Sequence, residues 1–599
     1  MSAYNSWNRV PNSSSYYLLT EILRNRWSFQ GYVYSDWGAI DMLHTFQHTA
    51  SSQTEAAIQA ISAGLDVEAS SECFPHLIAM VKEKKIDEKL IDKAVSRVLL
   101  AKFRMGLFED PYGEKYEAQS LHSRENIRVA RQIADESTVL LKNDKGLLPL
   151  NLSELNSIAV IGPNADQVQF GDYTWSRTNK DGVTPLEGIR KLTEPFGIQI
   201  RYAQGCSMMS LDTIHIASAV EAARQSDVAI LFCGSSSASL ARDYNETNCG
   251  EGFDLADLAL TGAQGKLIKA IHATGKPVIL VLVTGKPFSI AWEKKHIPAI
   301  LIQWYAGEQE GSSIANILFG KTNPSGHLTV SFPQSSGHLP AYYNHLPTDR
   351  GFYHKPGSYE QPGRDYVFSS PGPLWAFGHG LTYTTFNYTD MQIQQSIDSI
   401  KVFVTVKNTG RWAGKAVPQL YVRDVFSSIS TPVKQLKAFN KVALEPGETT
   451  RVPLHFAVQD LALTDEAGKT MVEPGSFEIM IGDASDHILL KQTISIGQNM
   501  AVSPCSIKEQ LPEEIGKGNI IHIKGVVRDV QATPVDKVEI YSTAQQQVIG
   551  VTDQNGKYCI DAPEDDVLVF CKSGYLDEKV NVDRKNDIQI TIRNKMVFP

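Results

Sequence analysis

The spacing of apolar side chains divides the chain into stretches of different period. Between residues 1 and 105, short β-branched and aromatic runs alternate with helical ones. Gly31-Tyr32-Val33-Tyr34-Ser35-Asp36-Trp37-Gly38 reads as a strand that gives way to a loop at Asp36 and Trp37. Ala63-Gly64-Leu65-Asp66-Val67-Glu68 reads as a second strand, with helices predicted over 18–24, through 55–63 and in a stretch ending at 106. Two such βα units match the last quarter of an eight-stranded barrel, and two units cannot close one, because open strands expose edges and an apolar face. Residues 106–130 are polar and irregular, as expected of a linker.

From 131 to 388 the pattern changes. The runs 158–162, 228–232, 278–283 and 299–302 are continuously apolar, as in strands covered on both faces, and helical stretches separate them. This predicts an α/β sandwich domain with a mainly parallel sheet. Residues 389–500 alternate with a period of two, for example Lys401-Val402-Phe403-Val404-Thr405-Val406-Lys407 before the turn at Asn408-Thr409-Gly410, which predicts a small antiparallel sandwich. A polar linker at 501–517 leads to a second β-rich stretch, 518–599, with the turn Asp553-Gln554-Asn555-Gly556-Lys557-Tyr558. The fold class is therefore multidomain α/β plus all-β: the C-terminal part of a (β/α)8 barrel, an α/β sandwich domain, and two β-sandwich modules.

A chain of 599 residues exceeds what one core supports, in keeping with several domains. The net charge of -9 and pI near 6.0 argue against nucleic acid or a membrane surface as partner. There is no basic block, no apolar run near the ~20 residues of a membrane span, and no signal peptide. Seven widely spaced cysteines without a CxxC form neither a disulfide framework nor a zinc site. His44 and His48 stand four apart on a predicted helix, but no third ligand is evident and they read as structural.

The residues alone leave Asp36 open between two roles. A carboxylate at the end of a barrel strand is placed for catalysis, whereas the same residue can merely cap the next helix. Tyr4 and Trp37 are in the same position, since an isolated aromatic is by default a packing residue. The second acidic feature is the loop after the 228–232 run, Arg242-Asp243-Tyr244-Asn245-Glu246-Thr247-Asn248-Cys249-Gly250-Glu251-Gly252-Phe253-Asp254, whose glycines would let it reach beyond its own domain.

Several words of the sequence, in order, carry a resemblance. Met1-Ser2-Ala3-Tyr4-Asn5, Val10-Pro11, Leu18-Leu19 through Leu23-Arg24 and Ser35-Asp36-Trp37 resemble the end of the catalytic barrel of glycoside hydrolase family 3. Ser137-Thr138-Val139-Leu140-Leu141-Lys142-Asn143, Ile161-Gly162-Pro163-Asn164-Ala165, Asn323-Pro324-Ser325-Gly326-His327-Leu328 and Phe377-Gly378-His379-Gly380-Leu381 resemble its second domain. Residues 389–500 resemble the fibronectin type III-like module that follows in many members, and 518–599 the carboxypeptidase regulatory-like sandwich. Arg9 and Ser28 stand where the family prefers glycine, and Thr261 where it prefers proline.

The resemblance implies a retaining exo-acting β-glycosidase, a β-glucosidase first and a β-xylosidase as the alternative, acting on an oligosaccharide or β-glycoside substrate. Asp36 would be the nucleophile and Glu251 the acid/base, with Glu246 as runner-up. Tyr4 and Trp37 would contact the sugar, and Trp37 after the nucleophile favours glucose over the smaller xylose. This chemistry needs no cofactor or metal. A periplasmic or extracellular site is implied, and the C-terminal module's partner stays open. In the family the Met1 motif is internal, so the chain is expected to begin inside a longer barrel, without the Asp, Arg and Lys-His groups that grip the sugar hydroxyls. As it stands it would then be an inactive, at most binding or scaffolding, chain whose residues 1–105 aggregate.

Overall fold

The structure is a computed structural model. It describes residues 1–112, 122–176, 178–237, 246–348, 355–497, 500–501, 520–529, 532–542, 547–563, 566–572, 578–582 and 587–592. The chain divides into two compact units, Met1–Pro504 and Cys505–Pro599.

The two strands expected near the N-terminus reduce to one parallel bridge, Tyr34 with Val67. Backbone bonds from the Asp66 and Val67 amides to Val33 O and from the Ser35 amide to Val67 O join the two segments, and a buried carboxylate adds to them. Buried Asp66 accepts from the Val33 amide at 2.8 Å and pairs with Arg24 at 2.6 Å and Arg97 at 2.7 Å. The first helix, Tyr17–Arg26, is wound as a π-helix, while Gln53–Ala63 and Glu88–Arg104 are α-helices. Ser52 caps the second of these by accepting from the Glu55 amide, and Gly64 in the left-handed region ends it. A small core of Val33, Ile40, Leu43, Ala57 and Leu65 lies beneath.

The helix Arg124–Ser137 begins inside the stretch expected as linker, because Ser123 accepts from the Asn126 amide and nucleates it early. Residues 113–121 of that linker lie outside the described residues. A six-stranded sheet follows in the spatial order Val139–Asn143, Ala299–Gln303, Val278–Val283, Val228–Gly234, Ser157–Ile161, Gln199–Ala203. All neighbours pair parallel except the first two, which are antiparallel. Every residue of Val278–Val283 and Ala299–Gln303 is buried, as their unbroken apolar pattern requires. Each such aliphatic side chain stabilises the domain by about 1.5–3 kcal/mol. Gln199–Ala203 is the one parallel strand that apolar runs miss, since Arg201 and Tyr202 leave this edge half exposed.

Strands from Phe386–Gln395 to His487–Ile496 form the antiparallel sandwich, with Val402, Val404 and Val406 inward on one strand and Leu420 and Val422 on another. Met500–Ala501 still pairs as a strand with Thr470–Val472, so the sandwich extends into the expected 501–517 linker; residues 502–519, Cys505 among them, lie outside the described residues.

The second unit is a sandwich of its own. Ile520–Asp529 pairs with Lys557–Pro563 and Ile590–Ile592 in one sheet, and Glu539–Ser542 lies between Gln547–Val551 and Val567–Cys571 in the other. Its turn forms as its residues dictate: Asp553 Oδ1 accepts from the Asn555 and Lys557 amides, and Gly556 sits at φ 70°.

Candidate active site

The segment bearing Asp36 is fixed at its two ends. Ser35 is fully buried; its amide donates to Val67 O at 2.9 Å, and its hydroxyl accepts from the Ala69 amide at 2.8 Å. Asp36 Oδ1 accepts from the Trp37 amide at 2.7 Å, so the carboxylate caps its own loop. Tyr4 runs alongside, with its hydroxyl donating to Trp37 O at 2.9 Å and its carbonyl taking the Gln47 amide group. Trp37 is 69% exposed.

Glu251 arrives from the other layer. It lies between Gly250 (φ 114°) and Gly252 (φ 79°), backbone conformations that only glycine adopts without strain. The loop is stapled back to the sheet just before it. Ser237 and Cys249 form a parallel bridge, and buried Asn248 accepts from the Ser236 amide at 2.8 Å and donates to Thr261 Oγ1 at 2.7 Å. Residues 242–245 of this loop lie outside the described residues. Glu246 turns elsewhere and accepts from the Met208 amide at 2.8 Å.

The two segments meet at one phenol. The Tyr4 hydroxyl is raised above the usual tyrosine value, first by burial, then by its hydrogen bond to Asp36 and by the negative charges of Asp36 and Glu251. Both carboxylates thus lie within electrostatic reach of the Tyr4 hydroxyl. A third loop, unforeseen in the sequence, borders Glu251. Asp172 Oδ2 accepts the Glu251 amide at 2.8 Å, and its Oδ1 takes the Ser237 hydroxyl. Tyr173 donates its hydroxyl to Glu251, which raises that phenol, and the charges of Asp172 and Tyr4 add to the effect. Trp175 stands 68% exposed with its ring 5.4 Å from that of His122, which is bonded to Glu308 at 2.5 Å. The run Asp172-Tyr173-Thr174-Trp175, an acid and two aromatics in a loop after a buried strand, was the signal available.

His44 and His48 do not converge on a ligand: their Nδ1 atoms lie against the carbonyls of Ala50 at 3.1 Å and His44 at 3.0 Å.

Comparison with known proteins places the chain in a family. Residues 1–101 match the glycosyl hydrolase family 3 N terminal domain, 138–383 its C-terminal domain, and 416–485 a fibronectin type III-like domain. The chain is 36% identical to a β-xylosidase of Formosa agariphila, over 83% of this chain and 68% of that protein. It is also 36% identical to a periplasmic β-glucosidase of Salmonella typhimurium, over 82% of this chain and 66% of that one. A crystallised β-glucosidase from Listeria innocua, in complex with isofagomine, superposes with a TM-score of 0.74 at 33% identity, covering 83% of this chain and 68% of that chain. The chain belongs to glycoside hydrolase family 3 and spans about two thirds of the length of these relatives.

Proposed function

We propose that this site is that of a retaining, exo-acting β-glycosidase with Asp36 as nucleophile and Glu251 as acid/base. The reading is supported by the loop contacts that hold Glu251, its amide on Asp172 and its carboxylate on the Tyr173 hydroxyl, and by Tyr4, whose hydroxyl is raised by the charges of both Asp36 and Glu251. Retaining hydrolysis asks for two carboxyls about 5–5.5 Å apart, one attacking the anomeric carbon and the other protonating the leaving oxygen before activating water. Tyr173 covers the Glu251 oxygen that the leaving group would take, so substrate entry exchanges one hydrogen bond for another. Glu251 suits the acid role better than Glu246, which is spent on a backbone amide. Trp37, Tyr173 and Trp175 supply aromatic faces for the sugar and its aglycone.

The sugar we assign is β-linked glucose, supported by Trp37 beside the nucleophile and by the β-glucosidases among the relatives; the β-xylosidase relative keeps xylose as the competitor. The relative named as periplasmic supports action in the periplasm or outside the cell. Among the described residues no helix is long and apolar enough to cross a membrane. The turn at 553–558 supports a carboxypeptidase regulatory-like accessory role for the second unit.

A second reading, binding without turnover, draws on the openness of the site. Stabilising a glycosyl cation takes preorganised groups in a water-excluded space, and here Trp37, Tyr173 and Trp175 are all exposed. One experiment separates the two. The chain is treated with 2-deoxy-2-fluoroglucosyl fluoride and weighed by mass spectrometry. A covalent adduct on the peptide holding Asp36, absent in Asp36→Asn, supports the glycosidase. Calorimetric binding of gluconolactone without any adduct supports the binding reading instead. The ratio of aryl β-glucoside to aryl β-xyloside hydrolysis then assigns the sugar.

A further inference from the structure

On the second unit, three side chains form a hydrogen-bonded chain that the glycosidase chemistry does not use. Ile520–Asp529 and Lys557–Pro563 pair antiparallel, with His522 opposite Asp561 and Lys524 opposite Cys559. Side chains alternate across a strand. Ile523, Ile560 and Ala562 enter the core, so His522, Lys524, Cys559 and Asp561 share the outer face. His522 Nδ1 lies 2.7 Å from Asp561 Oδ1, and its Nε2 lies 2.9 Å from Cys559 Sγ. Beside a carboxylate the ring keeps its hydrogen on Nδ1 and donates it to Asp561, which turns the Nε2 lone pair toward the thiol. Cys559 is exposed and in no disulfide.

We propose that Cys559 is a thiol-modification site, a nucleophile that His522 activates and Asp561 orients for exchange with disulfides. His522 Nε2 takes the thiol proton. The thiolate sulfur attacks one sulfur of a disulfide R–S–S–R, the Cys559–S–S–R bond forms, and the R–S–S–R bond breaks. The electron pair leaves on R–S⁻, which receives the proton held by His522; one thiol and one disulfide enter, and one of each leaves.

Two lysines flank the sulfur. Lys524 is the cross-strand neighbour of Cys559, within the ~5 Å typical of such pairs. Lys557 follows on the same face of the thiol's own strand. Among the described residues two acids face this patch and both are engaged, Asp561 by the ring and Asp587, which bridges Lys524 on the parallel neighbour, by Gln589 at 2.6 Å. The face is open, so the disulfide can be small or carried by another protein. The buried thiols provide the contrast: burial pushes Cys73 and Cys206 up to about 12 and Cys233 well above its ordinary value.

The test uses the full chain with dithiodipyridine, following thiopyridone release at about pH 6 and locating the label by peptide mapping. The expected result is that Cys559 is modified first, about tenfold or more faster than in His522→Gln, with the two rates converging near about pH 9, where a thiol ionises unaided. Asp561→Asn, which leaves the ring in place, should give an intermediate rate. Both substitutions lie on an exposed face and should leave thermal unfolding unchanged. Rates equal to wild type in both variants, or a fast label that maps to Cys571, would overturn the proposal.

Discussion

The six-stranded sheet and the segment 1–105 are held together by different forces. In the sheet, strands such as Val278–Val283 are buried along their whole length, and apolar area does the holding. In the N-terminal segment the parallel pairing shrinks to one bridge, and the Asp66 carboxylate joins Arg24, Arg97 and the Val33 amide across it. Around that clamp Trp7, Trp27, Trp37 and Phe46 remain exposed. Apolar packing tolerates movement of a few tenths of an ångström, whereas a clamp of directional bonds aims a loop. The scaffold thus lies in one region and the aiming of Asp36 in the other, which makes their failures separable.

Asp36→Asn should separate them most sharply. Removing the proposed nucleophile is expected to cost about 10⁴-fold or more in aryl β-glucoside hydrolysis, while thermal stability moves by no more than about 0.5 kcal/mol. A loss under about tenfold would take Asp36 out of the nucleophile's role.

Breaking the clamp should do the reverse. Asp66→Ala leaves two arginines and a buried amide without their carboxylate, with an expected loss of about 3–5 kcal/mol. Hydrogen exchange should rise across residues 1–105 and stay slow in the strands 228–234 and 278–283. An equal rise in those strands would mean that the two regions unfold as one and that the contrast drawn here is wrong.

Asp172 sharpens the comparison at the point where the regions meet. It bonds the Glu251 amide and Ser237, the two ends of the loop. Displacing an acid/base by about 1 Å costs on the order of 10²-fold. Asp172→Asn should therefore slow kcat for alkyl glucosides, which need protonation, by about ten- to a hundredfold. Activated dinitrophenyl glucosides, which do not, should hydrolyse nearly as in the wild type. Equal losses on both would assign Asp172 a purely structural part.

The buried strands of the sheet were legible because continuous apolar runs have one physical meaning, burial on both faces, and all four runs read that way became strands. The edge Gln199–Ala203 was not, since half-exposed Arg201 and Tyr202 break the run. Around Asp36 the β-branched pattern of 31–38 pointed to the parallel pairing with the 63–68 segment, which shortens to one bridge and a few backbone bonds, whereas the Asp66 clamp was not legible, because a side chain's partners 33 residues away leave no local trace. Asp36, Tyr4 and Glu251 could be picked out as words of a family, whereas the influence of both carboxylates on the Tyr4 hydroxyl depends on tertiary structure. Asp172 and Tyr173 were missed because their role depends on where a loop lands, not on its composition.

The smallest expected effect tests whether the scaffold uses polar ties of its own. Glu136, near the end of the helix Arg124–Ser137, bonds Lys415 at 2.6 Å and Lys441 at 3.2 Å, joining the sheet domain to the antiparallel sandwich. Burial opposes its charge, yet hydrogen bonds from Lys415 and Gln132 and the nearby Lys441 bring the carboxyl down to about 2. Burial also disfavours the charge on Lys441, which returns part of the gain, so on the order of 2 kcal/mol is expected from the tie. A carboxyl that titrates lower folded than unfolded stabilises fully above its unfolded value. The contribution should be complete above about pH 4.5 and be lost as pH falls toward about 2. Melting curves of wild type and Glu136→Gln across that window should converge at the acid end. If they stay offset by the same amount throughout, the tie acts through packing rather than charge, and the scaffold is apolar in its junctions as well as in its strands.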